Sequence, residues 1–208
     1  MLIIERYKVG PLETNCYFIT DNDTKRSAII DPGGISSELD EKIESIGKEN
    51  IEYILMTHGH FDHIRKAVRY QKMTGAKLMI GKDESQFTKD RRLNLCRIPM
   101  PAFDVDVLLN DGDIIKLGEI KIKVLNTPGH TVGGVCFIVD NCMFVGDTIM
   151  KGTVGRCDLN TGSLDQMMSS ILKISKLQGN YNIYPGHGDM TTLDDEKKNN
   201  VYFRKVQR

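Results

Sequence analysis

The stretch Thr57-His58-Gly59-His60-Phe61-Asp62-His63 constrains this chain more than any other, because four of its seven residues can bind a transition metal. The residues before it, 53–57, are mostly apolar and predict a buried strand, and a helical pattern follows over residues 64–72. A strand that runs through a loop into a helix places the loop at the carboxyl edge of a sheet, where open α/β sheets usually hold their sites. The sequence therefore predicts a metal centre at that edge.

The spacing within this loop indicates more than one metal. His58 and His60 are two residues apart, so in an extended segment both side chains leave on the same side. Asp62 and His63 are adjacent and must point in different directions. This pattern favours two neighbouring metal ions, with the first pair of residues on one ion and the second pair on the other.

The remaining histidines also occupy loops. The chain has five histidines, and those outside the loop, His130 and His187, each follow a Pro-Gly pair. Pro-Gly is poorly tolerated inside helices and strands, so both residues are expected in tight turns. A lone histidine is more often structural or solvated than a ligand, but five histidines confined to such contexts favour metal binding.

Length, charge and cysteine usage bound the remaining interpretations. With 208 residues the chain is most simply a single domain over residues 1–208. The 28 basic and 28 acidic residues balance, which gives no indication of nucleic acid or a membrane surface as partner and leaves a small-molecule substrate. No apolar run approaches the ~20 residues of a transmembrane helix, and no signal peptide is visible. Five cysteines without a CxxC motif predict buried thiols in a reducing cytoplasm.

The order of predicted elements indicates the architecture. Strand-like runs followed by a helical pattern occur twice, which fits two β-rich halves packed face to face with helices outside. Residues 82–105 are charged and contain two prolines, so they predict a surface excursion that borders the site. No linker or repeat divides the chain.

The ligand candidates, followed by Gly146-Asp147-Thr148, resemble the metallo-β-lactamase-fold hydrolases, and within them the glyoxalase II (hydroxyacylglutathione hydrolase-like) branch. The resemblance implies an α/β (α+β) class fold, the four-layer αββα sandwich of that family. It covers nearly the whole chain. The further matching pieces are Asn15-Cys16-Tyr17, Asp31-Pro32-Gly33-Gly34, Asn126-Thr127-Pro128-Gly129-His130-Thr131, Gly155-Arg156-Cys157-Asp158 and Pro185-Gly186-His187-Gly188.

The resemblance also implies the roles of individual residues. It implies two divalent metal ions per chain, zinc first, with iron or manganese as alternatives. The first ion would be held by His58, His60 and His130, the second by Asp62, His63 and His187, with Asp147 bridging both. Asp31 would fix the ligand loop from behind. Arg156, nine residues after Asp147, is a candidate for binding the substrate.

The function implied is dinuclear, metal-dependent hydrolysis of thioesters, with a hydroxide that bridges the metals as nucleophile. A thioester suits such a site because a thiolate leaves without a strong general acid. Asp62 would orient the nucleophile while acting as a ligand. No serine or cysteine with a base beside it offers a covalent alternative.

Two departures leave the substrate open. Ile64-Arg65-Lys66-Ala67 replaces the Ile-Gly-Gly that is common in the family, and about 20 residues follow His187, which predicts a short form without the C-terminal helical domain of glyoxalase II. Persulfide dioxygenases share much of this motif set but work with a single iron. They remain one alternative, and lactonases of the same fold remain another.

Overall fold

The computed structural model describes residues 1–98 and 100–207. In the first half of the chain three consecutive strands are followed by alternating helices and strands. Its strands are β1 (Leu2–Val9), β2 (Thr14–Asp21), β3 (Ser27–Ile30), β4 (Ile51–Met56), β5 (Lys77–Gly81) and β6 (Val107–Leu109). Its α-helices are α1 (Ser37–Ile46), α2 (Phe61–Ile64), α3 (Ala67–Thr74) and α4 (Arg91–Asn94), and short 3-10 helices lie at Lys48–Asn50 and Lys82–Glu84.

The second half repeats this order with more strands. They are β7 (Ile114–Leu117), β8 (Ile120–Asn126), β9 (Val135–Val139), β10 (Cys142–Gly146), β11 (Ile149–Met150), β12 (Thr153–Val154), β13 (Asn182–Pro185) and β14 (Thr191–Thr192). The helices are α5 (Leu164–Ser175), α6 (Leu193–Asn199) and α7 (Val201–Val206). None of the helices in the described part of the chain has the length and apolar character needed to cross a bilayer.

The strands form two large sheets. The first has the order β1-β2-β3-β4-β5-β6, antiparallel up to β3 and parallel from β3 to β6. The second has the order β14-β13-β10-β9-β8-β7, in which β10 and β13 are parallel and the other neighbours antiparallel. Strands β11 and β12 make a separate hairpin.

Three apolar clusters hold the sheets and helices in four layers. Alternation along β2 shows how one strand serves two of them: Tyr17 faces the cluster between the sheets, while Phe18 faces the helices outside. Phe137 lies in the same inner cluster, from the second sheet. Tyr70 of α3 belongs to the cluster outside the first sheet, and Met167 of α5 to the cluster outside the second. The αββα sandwich predicted from the sequence is therefore confirmed.

The helix predicted after the ligand loop is interrupted. It begins inside the loop as α2 and restarts as α3, because the amide of Lys66 donates to the carbonyl of Pro32 (3.0 Å) instead of continuing the helical ladder. The chain leaving β3 packs closely against this point: a Cβ on Gly33 would lie 1.3 Å from the carbonyl oxygen of Asp62. Helix α3 ends at Thr74, two residues past the predicted helical pattern, and Gly75 after it has the left-handed conformation at φ 77°.

Candidate metal centre

The carboxyl ends of strands from both sheets converge on one group of polar side chains. The loop after β4 supplies four candidate ligands, and the segments after β8, β10 and β13 supply one each. A hydrogen bond from the Val135 amide to the Thr57 carbonyl (2.8 Å) joins the two sheets beside them. The structure thus brings together all seven residues named from the sequence, which are His58, His60, Asp62, His63, His130, Asp147 and His187.

These side chains form three overlapping groups, within each of which the potential ligand atoms lie within 4.8 Å of one another. One group combines the first two histidines of the loop with His130, the histidine after β8. Another unites the last two ligands of the loop with the histidine after β13. His58 and His63 share the third group with Asp147, so the two halves are contiguous.

The tautomers of the two Pro-Gly histidines are set by backbone carbonyls. His130 Nδ1 lies 2.8 Å from the carbonyl oxygen of Arg156, and His187 Nδ1 lies 3.1 Å from that of Leu12. A carbonyl can only accept, so each Nδ1 carries the proton and donates it. Each Nε2 is therefore the ring nitrogen that is left to face the centre, as in metal-binding histidines.

The Asp31 carboxylate orients the histidines of the ligand loop. His63 Nδ1 donates to Asp31 Oδ2 (2.9 Å), and the hydroxyl of Thr57 donates to the same oxygen (2.6 Å). The Thr57 oxygen can then accept from His58 Nδ1 (3.2 Å). Asp31 Oδ1 also accepts from the Thr57 amide (2.7 Å), so one buried carboxylate orients two imidazole rings and the backbone between them.

His60 has the opposite orientation. Its Nδ1 lies 3.1 Å from His58 Nε2 and 2.9 Å from His130 Nε2, so three imidazole nitrogens meet. A proton on His60 Nδ1 can satisfy one of the two neighbouring lone pairs, whereas a cation among the three nitrogens satisfies all of them. This donor set is chemically suited to a transition metal.

Buried atoms without hydrogen-bond partners also indicate a metal site. His63 Nε2 and Asp147 Oδ1 are buried, lie 3.5 Å apart, and have no hydrogen-bond partner among the described residues. Native proteins rarely leave such atoms unpaired unless a water or an ion satisfies them. The residues present therefore fit divalent metal.

Electrostatics divide the centre into a neutral and a charged half. Burial lowers the pKa of His58 well below its usual value, and it lowers the pKa of His60 to about 3, so both imidazoles are neutral and their lone pairs free for metal. Burial would also lower the pKa of His63, but the carboxylates of Asp62, Asp147 and Asp31 outweigh it and raise the pKa to about 10. Without metal, a proton on His63 partly neutralises the acidic half of the centre.

Arg156 contacts the centre through its backbone. Its carbonyl orients His130, while its exposed guanidinium makes a two-pronged ion pair with Asp158 (both contacts 2.7 Å). The positive charge nevertheless contributes, after burial and the neighbouring His130 and His63, to the low pKa of His60. The proposal that Arg156 binds substrate thus rests on a side chain at the rim of the centre.

Glu84 is a residue that the sequence did not identify. It is fully buried, and its carboxylate accepts from the Gly59 amide (2.7 Å) and the Gly133 amide (2.7 Å). It thereby ties the ligand loop of the first sheet to the turn after His130. No sequence signal distinguishes this acid, because it lies in the charged segment 82–105 that was predicted to be a surface excursion.

Two residues of β2 hold the remaining side of the centre. Asn15 donates to the carbonyls of Pro185 (2.9 Å) and Gly188 (3.0 Å), which fixes the turn that carries His187. The buried hydroxyl of Thr14 donates to Asp62 Oδ2 (3.1 Å). Asn15 belongs to a motif named above, whereas Thr14 was not recognised from the sequence.

Comparison with known proteins agrees with this geometry. A family model described as the metallo-beta-lactamase superfamily matches residues 9–187. The hydroxyacylglutathione hydrolase GloC of Haemophilus influenzae is 34% identical, over 96% of this chain and 97% of its own. A solved structure titled BLEG-1 B3 metallo-beta-lactamase superposes with a TM-score of 0.85 at 28% identity, covering 97% of this chain and 99% of its own. TTHA1623, solved in a di-iron-bound form, gives a TM-score of 0.82 at 26% identity, covering 95% and 99%.

Proposed function

We propose, from the premise that this chain belongs to the metallo-β-lactamase superfamily of metal-dependent hydrolases, that it hydrolyses thioesters at a centre of two divalent metal ions. The observation that carries the metal assignment is the convergence of seven candidate ligand side chains, among which His63 Nε2 and Asp147 Oδ1 are buried without a hydrogen-bond partner in the described part of the chain. The similarity to a hydroxyacylglutathione hydrolase along nearly the whole chain supports a thioester as substrate.

The ligands would divide between the two ions as the family resemblance implies. His58, His60 and His130 would hold one ion, and Asp62, His63 and His187 the other, with Asp147 between them. When bound, such ions lower the pKa of water and polarise a carbonyl group. The two ions can be zinc, and the di-iron form of a structural relative supports iron as an alternative.

Asp62 would orient the attacking water. Burial alone would raise its pKa, but His63 and His187 outweigh this and lower the pKa below the usual range, so the group is a carboxylate at neutral pH. Its Oδ2 already accepts from Thr14 (3.1 Å) and lies 3.1 Å from His187 Nε2, which fixes the carboxylate plane. A fixed carboxylate accepts a hydrogen bond from water and holds its lone pair toward the carbonyl carbon.

The chemical groups beside the centre limit both the nucleophile and the leaving group. Covalent catalysis by Cys157 is disfavoured, because burial and the Asp158 carboxylate raise the pKa of its thiol. In the described part of the chain, each histidine of the centre has a ring nitrogen in a hydrogen bond or at a ligand position, so none serves as a strong general acid for an alkoxide or amine leaving group. A thiolate leaves without one.

Metal analysis tests the dinuclear centre. Protein reconstituted separately with Zn(II), Fe(II) or Mn(II) is expected to bind two ions per chain. Saturation at a single iron, together with oxygen uptake in the presence of glutathione persulfide, would refute this assignment and favour the mononuclear dioxygenase.

A substrate panel tests the reaction. The metal-loaded protein is expected to hydrolyse lactoyl thioesters faster than lactones or β-lactams, measured as release of thiol or of acid. Efficient lactone hydrolysis with negligible thioester hydrolysis would identify a lactonase and overturn the proposal.

A further inference from the structure

A wide cleft opens beside the metal centre, and no part of the mechanism above uses it. Its volume is about 830 Å³, within the range of small-molecule sites. Its walls combine apolar side chains with four arginines. The arginines are Arg91, Arg92, Arg97 and Arg156.

The cleft adjoins the ligands directly. Phe61 lines it and lies between the ligands His60 and Asp62 in the sequence. Leu12 and Arg156 also line it, and their carbonyls are the groups that accept from His187 and His130. A molecule that reaches the centre with one end can therefore occupy the cleft with the other.

The charge of the cleft is positive. Arg92 pairs with Asp90, and Arg156 pairs with Asp158. For Arg91 and Arg97 the described part of the chain shows no ion pair, and both are exposed. Among the described residues the cleft lining contains no carboxylate, so these two guanidinium groups are positioned to meet an anion.

The far wall is built by buried contacts, although it lies in a segment predicted to be a surface excursion (residue 99 of that segment lies outside the described residues). Buried Asn94 donates to the Phe87 carbonyl (2.7 Å) and accepts from the Cys96 amide (3.0 Å). Leu95 between them has φ 61°, a left-handed conformation that is unusual for leucine, and its side chain lines the cleft.

The wall is also tied to the opposite side. Asn160 donates to the carbonyl of Arg92 (3.0 Å), which joins α4 to the loop that carries Arg156. The cleft is thus held open by specific contacts on both sides, and a ligand meets a largely formed site.

We propose that this cleft binds the anionic thiol portion of an acyl thioester, with Arg91 and Arg97 meeting its carboxylates or phosphates while the thioester carbonyl lies at the metal centre. This inference rests on the thioester hydrolysis proposed above. Apolar residues of the cleft, such as Phe61 and Leu95, would cover the stem that joins the sulfur to the charged groups.

Steady-state kinetics with matched thioesters test the inference. The substrates are a lactoyl thioester of glutathione, which carries carboxylates, an acyl thioester of coenzyme A, which carries phosphates, and a lactoyl thioester of neutral N-acetylcysteamine. For the double variant Arg91→Gln/Arg97→Gln, KM for at least one anionic substrate is expected to rise about five- to tenfold, the effect of losing two exposed charge pairs. We expect kcat, and KM for the neutral thioester, to stay unchanged.

Two further variants separate charge from structure. Arg91→Lys/Arg97→Lys keeps the charges and should restore most of the affinity. Arg204→Gln removes an exposed arginine from α7, away from the cleft, and should change nothing. Raising the ionic strength should reduce the preference of the unaltered protein for anionic substrates. The affected substrate, glutathione or coenzyme A thioester, identifies the anion as carboxylate or phosphate.

A binding measurement keeps the two proposals distinguishable. S-methylglutathione and a coenzyme A thioether cannot be hydrolysed, and calorimetry on the metal-loaded protein should show one of them bound more weakly by the glutamine double variant. If no thioester is hydrolysed but this loss of binding is seen, the function proposed above fails and the anion site stands. If the double variant matches the unaltered protein in binding and in KM for every anionic ligand, the cleft inference is overturned.

Discussion

The two oxygens of the Asp147 carboxylate face histidines from both halves of the centre. Oδ1 lies 3.5 Å from His63 Nε2, while Oδ2 lies 3.4 Å from His130 Nε2 and 3.8 Å from His187 Nε2. In the proposed dinuclear centre this side chain would lie between both ions and set their separation, whereas His187 would serve one of them. We expect Asp147→Ala to reduce kcat/KM by orders of magnitude and by more than His187→Ala does. Near-normal turnover of the Asp147 variant would show that the carboxylate does not bridge.

Cys157 lies beside the centre but should not take part in the chemistry. Its sulfur donates to the carbonyl of Gly155 (3.4 Å), and burial followed by the Asp158 charge raises the pKa of the thiol. Cys157→Ser is therefore expected to keep kcat within about twofold, because no thiolate nucleophile is lost. An acyl adduct on Cys157, detected by mass spectrometry during turnover, would contradict this prediction.

Glu84 acts on the centre through the backbone. In Glu84→Gln one carboxylate oxygen becomes an amide that cannot accept, so one of the Gly59 and Gly133 amides loses its partner, at a cost of about 1–3 kcal/mol. Mutation of a residue that positions metal ligands through hydrogen bonds typically lowers metal affinity 10- to 100-fold, and a loss of about tenfold is expected here. Competition with a chromophoric chelator measures it.

The control for Glu84 is Glu41→Gln, which alters an exposed glutamate on α1. A general effect of charge would appear in both variants, whereas an effect through the ligand loop appears in Glu84→Gln alone. Equal metal affinities in the two variants would remove Glu84 from the set of residues that position the ligands.

At the scale of elements, one carboxylate joins the turn after β2 to the turn between β7 and β8. Asp21 accepts from the Glu119 amide (2.9 Å), the Thr24 hydroxyl (2.8 Å) and the Asp23 amide (3.2 Å). The bonds from Glu119 and Thr24 are the main causes that lower its pKa from 3.8 to about 2. The two sheets are thus linked at this end by an ionised side chain.

The lowered pKa makes this link dependent on pH. The carboxylate stabilises the folded state above pH 3.8, and this contribution is lost as the pH falls through about 2. Asp21→Asn is therefore expected to lower the free energy of unfolding at pH 7 and to approach the unaltered protein as the pH falls from about 4 to 2. Urea unfolding at several pH values measures the gap. A gap that stays constant down to pH 3 would contradict the assignment.

The elements that could be predicted are those with local causes. The strand before the ligand loop follows from its apolar run, and Gly75 ends α3 because it adopts φ 77° without strain. The break between α2 and α3 could not be predicted, since it depends on a hydrogen bond from Lys66 to Pro32, which is 34 residues earlier in the chain. The buried Glu84 escaped prediction for the same reason, because its partners lie in two distant loops.

At the scale of the molecule, the candidate site also combines features that could be predicted from the sequence with features that could not. The spacing of His58, His60, Asp62 and His63 indicated a ligand loop without reference to any fold, because the four residues are adjacent in sequence. That Asp147 joins them is a property of two sheets packed face to face, and it came from the family resemblance. The cleft lined by arginines was predicted neither from residue spacing nor from the family resemblance, because α4 reaches the centre only in the folded chain.

Because the candidate ligands come from both sheets, bound metal should stabilise the folded state of the whole molecule. A ligand that binds only the folded state stabilises it by about 2.7 kcal/mol at a concentration 100 times its Kd, which for a chain of this size corresponds to roughly 5–10 °C in Tm. We therefore expect chelation to lower Tm and a return of metal to restore it, followed by differential scanning calorimetry. In Asp147→Ala this difference should largely disappear, whereas Cys157→Ser should retain it. If chelation leaves Tm unchanged in protein shown to have carried metal, the centre does not couple the two sheets.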